Sequence, residues 1–183
     1  MKDPSLFKVL KEDLIRLHFP SPEDNECGNI NILKALNPRF LPVIMIRVSA
    51  YLYKTPILRI FAHILTWLNV FIFGIESTPR CKIGPGLVIP HSSGIVIGAT
   101  VIGKNVTIFQ GVTLGAQVAD MSFNLKTRPQ IGDNVVIGAG SKVLGNINVG
   151  DNVVIGANSV VLEDIPGSVV IAGIPAKIIR KVI

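Results

Sequence analysis

Aliphatic residues recur at every sixth position through most of the second half of the chain. Ile131, Ile137, Val143, Val149, Ile155 and Val161 keep this phase without a break, and Gly132, Gly138, Gly150 and Gly156 follow four of them. An earlier run reads Ile83, Ile89, Val96, Ile102, Ile108 and Leu114, with a one-residue slip between Ile89 and Val96. A period of six fits neither the turn of an α-helix nor the alternation of a simple strand. It fits the hexapeptide parallel β-helix, in which each hexad makes one flat side and three hexads close a coil. The twelve hexads predict four coils, with the aliphatic residue pointing inward and glycine tolerating the tight corner. Leu114 and Ile131 stand seventeen residues apart instead of six. The excess predicts a loop over 116–130 that protrudes from one corner, a place where function often sits on a rigid scaffold.

The first third of the chain is different. Fifteen of the seventeen glycines lie after residue 80. Leu6, Val9, Leu10, Leu14 and Leu17 keep helical spacing over 5–19. Asn31 is placed to cap a short helix ending near Asn37-Pro38. Further helices are predicted over 41–53 and 56–73, divided by Thr55-Pro56 and stopped at Gly74. The division is therefore an N-terminal helical domain over 1–78 and a β-helix over 79–183. The N-terminus alternates charged and apolar residues, unlike a signal peptide. Residues 40–75 are strongly apolar but carry Arg47, Lys54 and Arg59. They read as buried helices at a subunit contact. The alternative is association with a membrane surface.

The 183 residues are 49% hydrophobic and 16% charged, which excludes a disordered chain. The net charge is +6, yet no basic run interleaves with aromatics, which excludes a nucleic-acid partner. The one local cluster is Lys177, Arg180 and Lys181, which reads as a solvated tail or as a site for a phosphate-bearing ligand. Cys27 and Cys81 form neither a metal spacing nor a disulfide framework. Both read as ordinary thiols in a reducing compartment.

Coil arithmetic places His91, Gln110, Ala139 and Ala157 in one column along an edge. The two alanines read equally as small residues that fit a crowded corner. His91 is the sole histidine of the repeat segment and occupies an outward-facing position in IPHSSG. Its imidazole suits removal of a proton from a hydroxyl. No carboxylate or cysteine cluster accompanies it, so no metal site is expected.

With these motifs the chain resembles the serine acetyltransferase family of hexapeptide-repeat acyltransferases. The resemblance runs from about Phe40 to the C-terminus and rests on GLVIPHSSGIVIGATVIGKNVTIFQGVTLGA, RPQIGDNVVIGAGSKVLGNINVGDNVVIGANSVV and AGIPAKIIRK. It implies a left-handed parallel β-helix, a homotrimer with active sites between subunits, pairing of trimers as a further possibility, and acetyl-CoA as donor. It makes His91 the general base. It sets Gly115 and Ala116 beside the pantetheine arm of the cofactor, Ala139 and Ala157 along the same arm, and Lys177 and Arg180 at its nucleotide end.

Three positions depart from the family pattern. Pro90 replaces an aspartate before the histidine, Ala99 replaces a glutamate, and Arg128 replaces a second histidine. Asp24 falls near the place of a further acidic acceptor residue of the family. Gln110 and Arg128 are the acceptor-side candidates. The form with proline before the histidine is similar to serine-acetyltransferase-like enzymes of polysaccharide clusters.

The expectation is an acetyl-CoA-dependent O-acetyltransferase, with Gly111 or Gly115 as candidate oxyanion donors. The departures favour a sugar or polysaccharide acceptor. Serine, as in cysteine biosynthesis, is the alternative, and a non-catalytic trimeric scaffold is a third reading. The expected location is the cytoplasm, including the inner face of the membrane.

Overall fold

The computed structural model describes residues 4–18, 37–118 and 122–182. The short helix expected from Asn31, together with Cys27 and Asp24, lies outside the described residues. Helix α1 spans Leu6–His18, α2 spans Leu41–Tyr53, and a single 3-10 turn over Pro56–Leu58 leads into α3 at Arg59–Phe73. Gly74 ends α3 with φ +67°, and its N–H returns to the carbonyls of Asn69 and Val70. That is the left-handed cap that glycine adopts without a Cβ penalty.

From Ile75 onward the chain winds as a left-handed parallel β-helix. The first face stacks β1 (Ile75–Ser77), β3 (Ile95–Ile97), β6 (Thr113–Gly115), β9 (Lys142–Leu144) and β12 (Val160–Val161). The second stacks β2 (Lys82–Ile83), β4 (Val101–Ile102), β7 (Gln130–Ile131) and β10 (Asn148–Val149). The third stacks β5 (Thr107–Ile108), β8 (Val136–Ile137), β11 (Val154–Ile155) and β13 (Val169–Gly173), with β14 (Ala176–Lys181) folding back antiparallel on β13. Ile75 and Ile171 extend the expected four coils to five.

The inward aliphatic column is as the hexads predict: Ile102, Ile108, Leu114, Ile137, Val143 and Ile155 are all buried. A second inward position lies two residues before five of these and before the buried Val161, filled by Val106, Val112, Val135, Ser141, Val153 and Ser159. The Ser141 and Ser159 hydroxyls both donate to the Gly156 carbonyl, at 2.8 and 2.7 Å. Their polar groups therefore carry no desolvation penalty.

Two details differ from the sequence reading. Val96 is not the inward residue of its coil. Ile95 and Ile97 are buried on either side of it, and Ile97 is the residue in register with Leu114. The segment between Ile89 and Ile95 is longer than one corner needs, and this displaces the phase. The glycines after the inward residues also have another cause. A Cβ on Gly138 would come within 2.6 Å of the Ala157 nitrogen, and one on Gly132 within 2.8 Å of the Gly150 carbonyl carbon. They are required by the approach of the next coil. The positive-φ corners lie elsewhere: Gly111, Gly140 and Asn158 turn the third-to-first corner, and Asn105, Asn134 and Asn152 turn the second-to-third. The latter form an amide ladder, with 3.1 Å bonds from Asn105 to Asn134 and from Asn134 to Asn152.

The helices are joined to the first coils by a buried ion pair. Asp13 on α1 is fully buried and accepts from Arg47 of α2 at 2.8 and 2.9 Å. The same carboxylate accepts from the Gly86 and Leu87 N–H groups, while Arg47 donates to the Ile83 and Gly84 carbonyls. Every charge-bearing atom of the pair is therefore answered, which a buried pair requires.

Candidate active site

The corner between the third and first faces carries the histidine. His91 is exposed and lies in a hollow of about 500 Å³ together with Pro38, Arg39, Phe73, Pro90, Ser92, Ser93 and Gln110. The turn before α2 supplies Pro38 and Arg39, the end of α3 supplies Phe73, the first turn of the β-helix supplies Pro90, His91, Ser92 and Ser93, and the next coil supplies Gln110. His91 and Gln110 therefore meet, but not by stacking. The backbone under Gln110 is that of Ser93: Gly111 N–H donates to the Ser93 carbonyl, as Gly140 N–H does to Gln110 and Asn158 N–H to Ala139. The column is thus Ser93, Gln110, Ala139 and Ala157. His91 stands two residues outside it because of the longer segment after Ile89.

Gln110 contributes an unanswered group. Its side-chain oxygen is buried and, among the described residues, accepts no hydrogen bond. A buried polar atom in a native structure calls for a partner. Arg39 was missed by sequence reasoning, because nothing in the local pattern NPRF ties it to a histidine fifty-two residues away. Gly111 cannot serve as an oxyanion donor, since its N–H is already held by Ser93 at 2.9 Å.

Above the hollow the edge stays small. Ala139 is half-buried and Ala157 exposed. At the top, Lys177 pairs with Ala172 and Arg180 with Val170 in the β13–β14 hairpin. Lys177 and Arg180 are three residues apart and would face opposite ways on a regular strand. A bulge between Val170 and Ile171 puts both on the outward side. From Ser93 to the hairpin is four coil steps, roughly 19 Å at a strand spacing of about 4.8 Å.

Gly115, Ala116 and Arg128 stand at the other end of the first face, at the corner that emits the loop. A Cβ on Gly115 would meet nothing within 4 Å, although the glycine itself is buried. Phe123 of the loop packs its ring against the Arg128 guanidinium at 4.1 Å and that of Arg80 at 5.0 Å. Arg128 also donates to the Gly98 carbonyl at 3.1 Å. Within one protomer the structure therefore gathers His91, Gln110, Ala139, Ala157, Lys177 and Arg180 on one edge, and Gly115, Ala116 and Arg128 on another. The first face, roughly 15 Å wide at about 3.3 Å per residue, separates them. Among the described residues no group of three or more histidines, cysteines or carboxylates converges as a metal site.

The comparisons with known proteins are consistent in kind. Residues 128–163 match the model of the bacterial transferase hexapeptide family, six repeats. The serine acetyltransferase of Staphylococcus epidermidis is 50% identical over 121 residues, covering 66% of this chain and 55% of its own length. The chain thus spans about half the length of that relative. The serine acetyltransferase of Brucella abortus strain S19 in complex with coenzyme A superimposes with a TM-score of 0.81 at 32% identity, over 98% of this chain and 70% of that one. Soybean serine acetyltransferase complexed with serine gives a TM-score of 0.81 at 33% identity, over 97% of this chain and 70% of that one.

Proposed function

The chain belongs to the serine acetyltransferase family, and from its edge and hollow we propose that it transfers the acetyl group of acetyl-CoA to the hydroxyl of serine. The observation that carries this reading is the meeting of His91, Gln110 and Arg39 in one hollow at the foot of an edge that ends in Lys177 and Arg180. An amino acid with a hydroxyl needs a base, an acceptor for its ammonium and a cation for its carboxylate. His91, the unanswered Gln110 oxygen and Arg39 are those three groups.

The sugar acceptor expected from Pro90, Ala99 and Arg128 has less support. Ala99 is fully buried and presents no surface to an acceptor. The Arg128 guanidinium is engaged by the Gly98 carbonyl and the Phe123 ring. The relatives named above are serine acetyltransferases, and the soybean one holds serine.

Acetyl-CoA lies along the edge, with its phosphates at Lys177 and Arg180 in charge-assisted hydrogen bonds. Its pantetheine arm runs over the small column of Ala157 and Ala139, where the backbone can be approached closely. The thioester then reaches His91. The imidazole takes the proton of the serine hydroxyl, and the oxygen attacks the thioester carbonyl carbon. The tetrahedral intermediate expels the coenzyme A thiolate, which takes the proton back from the imidazolium, leaving O-acetylserine and coenzyme A. Gly115 and Ala116 join the arm when a second copy brings its loop corner against the His91 edge, which a homotrimer does by symmetry.

His91→Ala is expected to lower kcat by about 10²–10⁴ while acetyl-CoA still binds, as calorimetry would read. Turnover near the parent value removes the histidine from the mechanism. Parallel assays with serine and a panel of sugars test the acceptor, and turnover of sugars alone would overturn serine.

A further inference from the structure

The two fully buried residues of helix α3 are small or polar. Ala62 and Asn69 are buried against α2, Thr66 returns its hydroxyl to the Ala62 carbonyl, and the Asn69 amide donates to the Pro42 carbonyl, while Leu65 and Phe73 are half-buried beside them. The outer side of the helix is apolar apart from the exposed His63, with Ile60 64%, Trp67 68% and Phe71 76% exposed. Exposed apolar residues run from Val70 round to Ile72, an arc of roughly 200° at about 100° per residue. A stripe of about 100° suffices to dock a helix on one partner surface. Small or polar residues between helices and apolar residues outside is the arrangement seen where lipid is the surrounding medium.

The helix lacks the freedom to span a bilayer, although Pro56–Phe73 has the length and composition for it. Its N-terminal end is tied to α2, which Arg47 holds to Asp13 and to the first coil. Its C-terminal end passes through Gly74 directly into β1. Both ends therefore stay with the folded body, and the helix presents its side, not its end. The charge at its N-terminal end is basic, while exposed Glu76 lies beyond its C-terminal end. No acidic residue occurs between Glu26 and Glu76, and exposed Lys54 and Arg59 stand at the start of the helix.

We propose that α3 is an in-plane anchor that seats this protein on an anionic lipid bilayer, its outer side sunk to the level of the acyl chains and its flanking cations at the headgroups. A wide apolar arc with basic flanks is what interfacial helices use.

The protein carries one tryptophan, Trp67, at the centre of the apolar side, so the proposal has a built-in reporter. Vesicles of phosphatidylcholine with phosphatidylglycerol should shift Trp67 emission to the blue, and the full-length protein should float with them. Bromine atoms placed high on the acyl chains should quench more than bromines near the chain ends. Ile64→Ser with Phe71→Ser, on exposed positions that leave the fold intact by circular dichroism, should weaken vesicle binding by roughly a hundredfold. Two results would overturn the proposal. One is unchanged emission with no flotation, including the case where the double variant instead halves the sedimenting mass, which would assign the apolar side to a second copy. The other is deepest quenching at the chain ends, which would mean that the helix crosses.

Discussion

Burial pushes the Cys81 thiol up to about 12, against the smaller opposing pull of Arg47. In the unfolded chain the same thiol ionises near about 8.5. Above that value the unfolded state has lost a proton that the folded state keeps, so stability falls as pH rises between the two. The slope is about 1.4 kcal/mol per pH unit for this one group. Urea unfolding of the parent and of Cys81→Ala at pH 8 and pH 10 should show the parent losing about 2 kcal/mol more than the variant over that interval. Equal losses would mean that Cys81 ionises freely in the fold. The same burial predicts that alkylating reagents leave Cys81 unmodified in the native protein at pH 8, and peptide mapping resolves it from Cys27.

At the scale of elements, two devices hold the site in place. The first is the Asp13–Arg47 pair, which fixes α1 and α2 against the first coils and so positions Arg39 and Phe73 at the hollow. Asp13→Ala leaves a buried guanidinium without its counter-charge and two backbone N–H groups unanswered. The expected loss is about 3–5 kcal/mol, read as a lower denaturation midpoint with an unchanged m-value. The second is the bulge in the last hairpin, which turns Lys177 and Arg180 to one side. Lys177→Ala with Arg180→Ala should raise KM for acetyl-CoA by roughly ten- to a hundredfold with little change in kcat, and the parent's KM should rise with salt. A fall in kcat at constant KM would place the pair in the chemistry instead.

Much of this was legible in the sequence. The hexad phase gave the inward column, and Gly74 marked the end of α3. The rest depends on contacts between distant positions. The inward role of Ile97 is hidden because Val96 has the same chemistry and lies one residue away. The stacking of Ser93, not His91, under Gln110 is set by the length of a corner. Arg39 enters the site only because the Asp13–Arg47 pair, thirty-four residues apart, docks the helices. The apolar composition of α3 was plain, but which side faced outward was not.

At the scale of the molecule, the division of the candidate site between two edges leads to a test. One edge carries His91, Gln110 and the alanine column; the other carries Gly115 and Ala116, and a Cβ added at Gly115 would meet nothing within 4 Å. If acetyl-CoA is held between the His91 edge of one copy and the Gly115 edge of the next, a defect on either edge can be supplied by a neighbour. His91→Ala removes the proposed base. Gly115→Trp is placed to fill the path of the arm, its Cβ meeting no atom of the chain within 4 Å, and circular dichroism checks that the variant folds. Each variant alone is expected to be inactive. Co-assembled by unfolding and refolding together, the two should regain activity, because a site formed by an intact His91 edge and an intact Gly115 edge arises at random in roughly a quarter of cases. Sites confined to single protomers would regain nothing, however the copies were mixed. Recovery to near that fraction, with none when the variants are merely combined after folding, would establish that the chain completes its active site only by meeting another copy of itself.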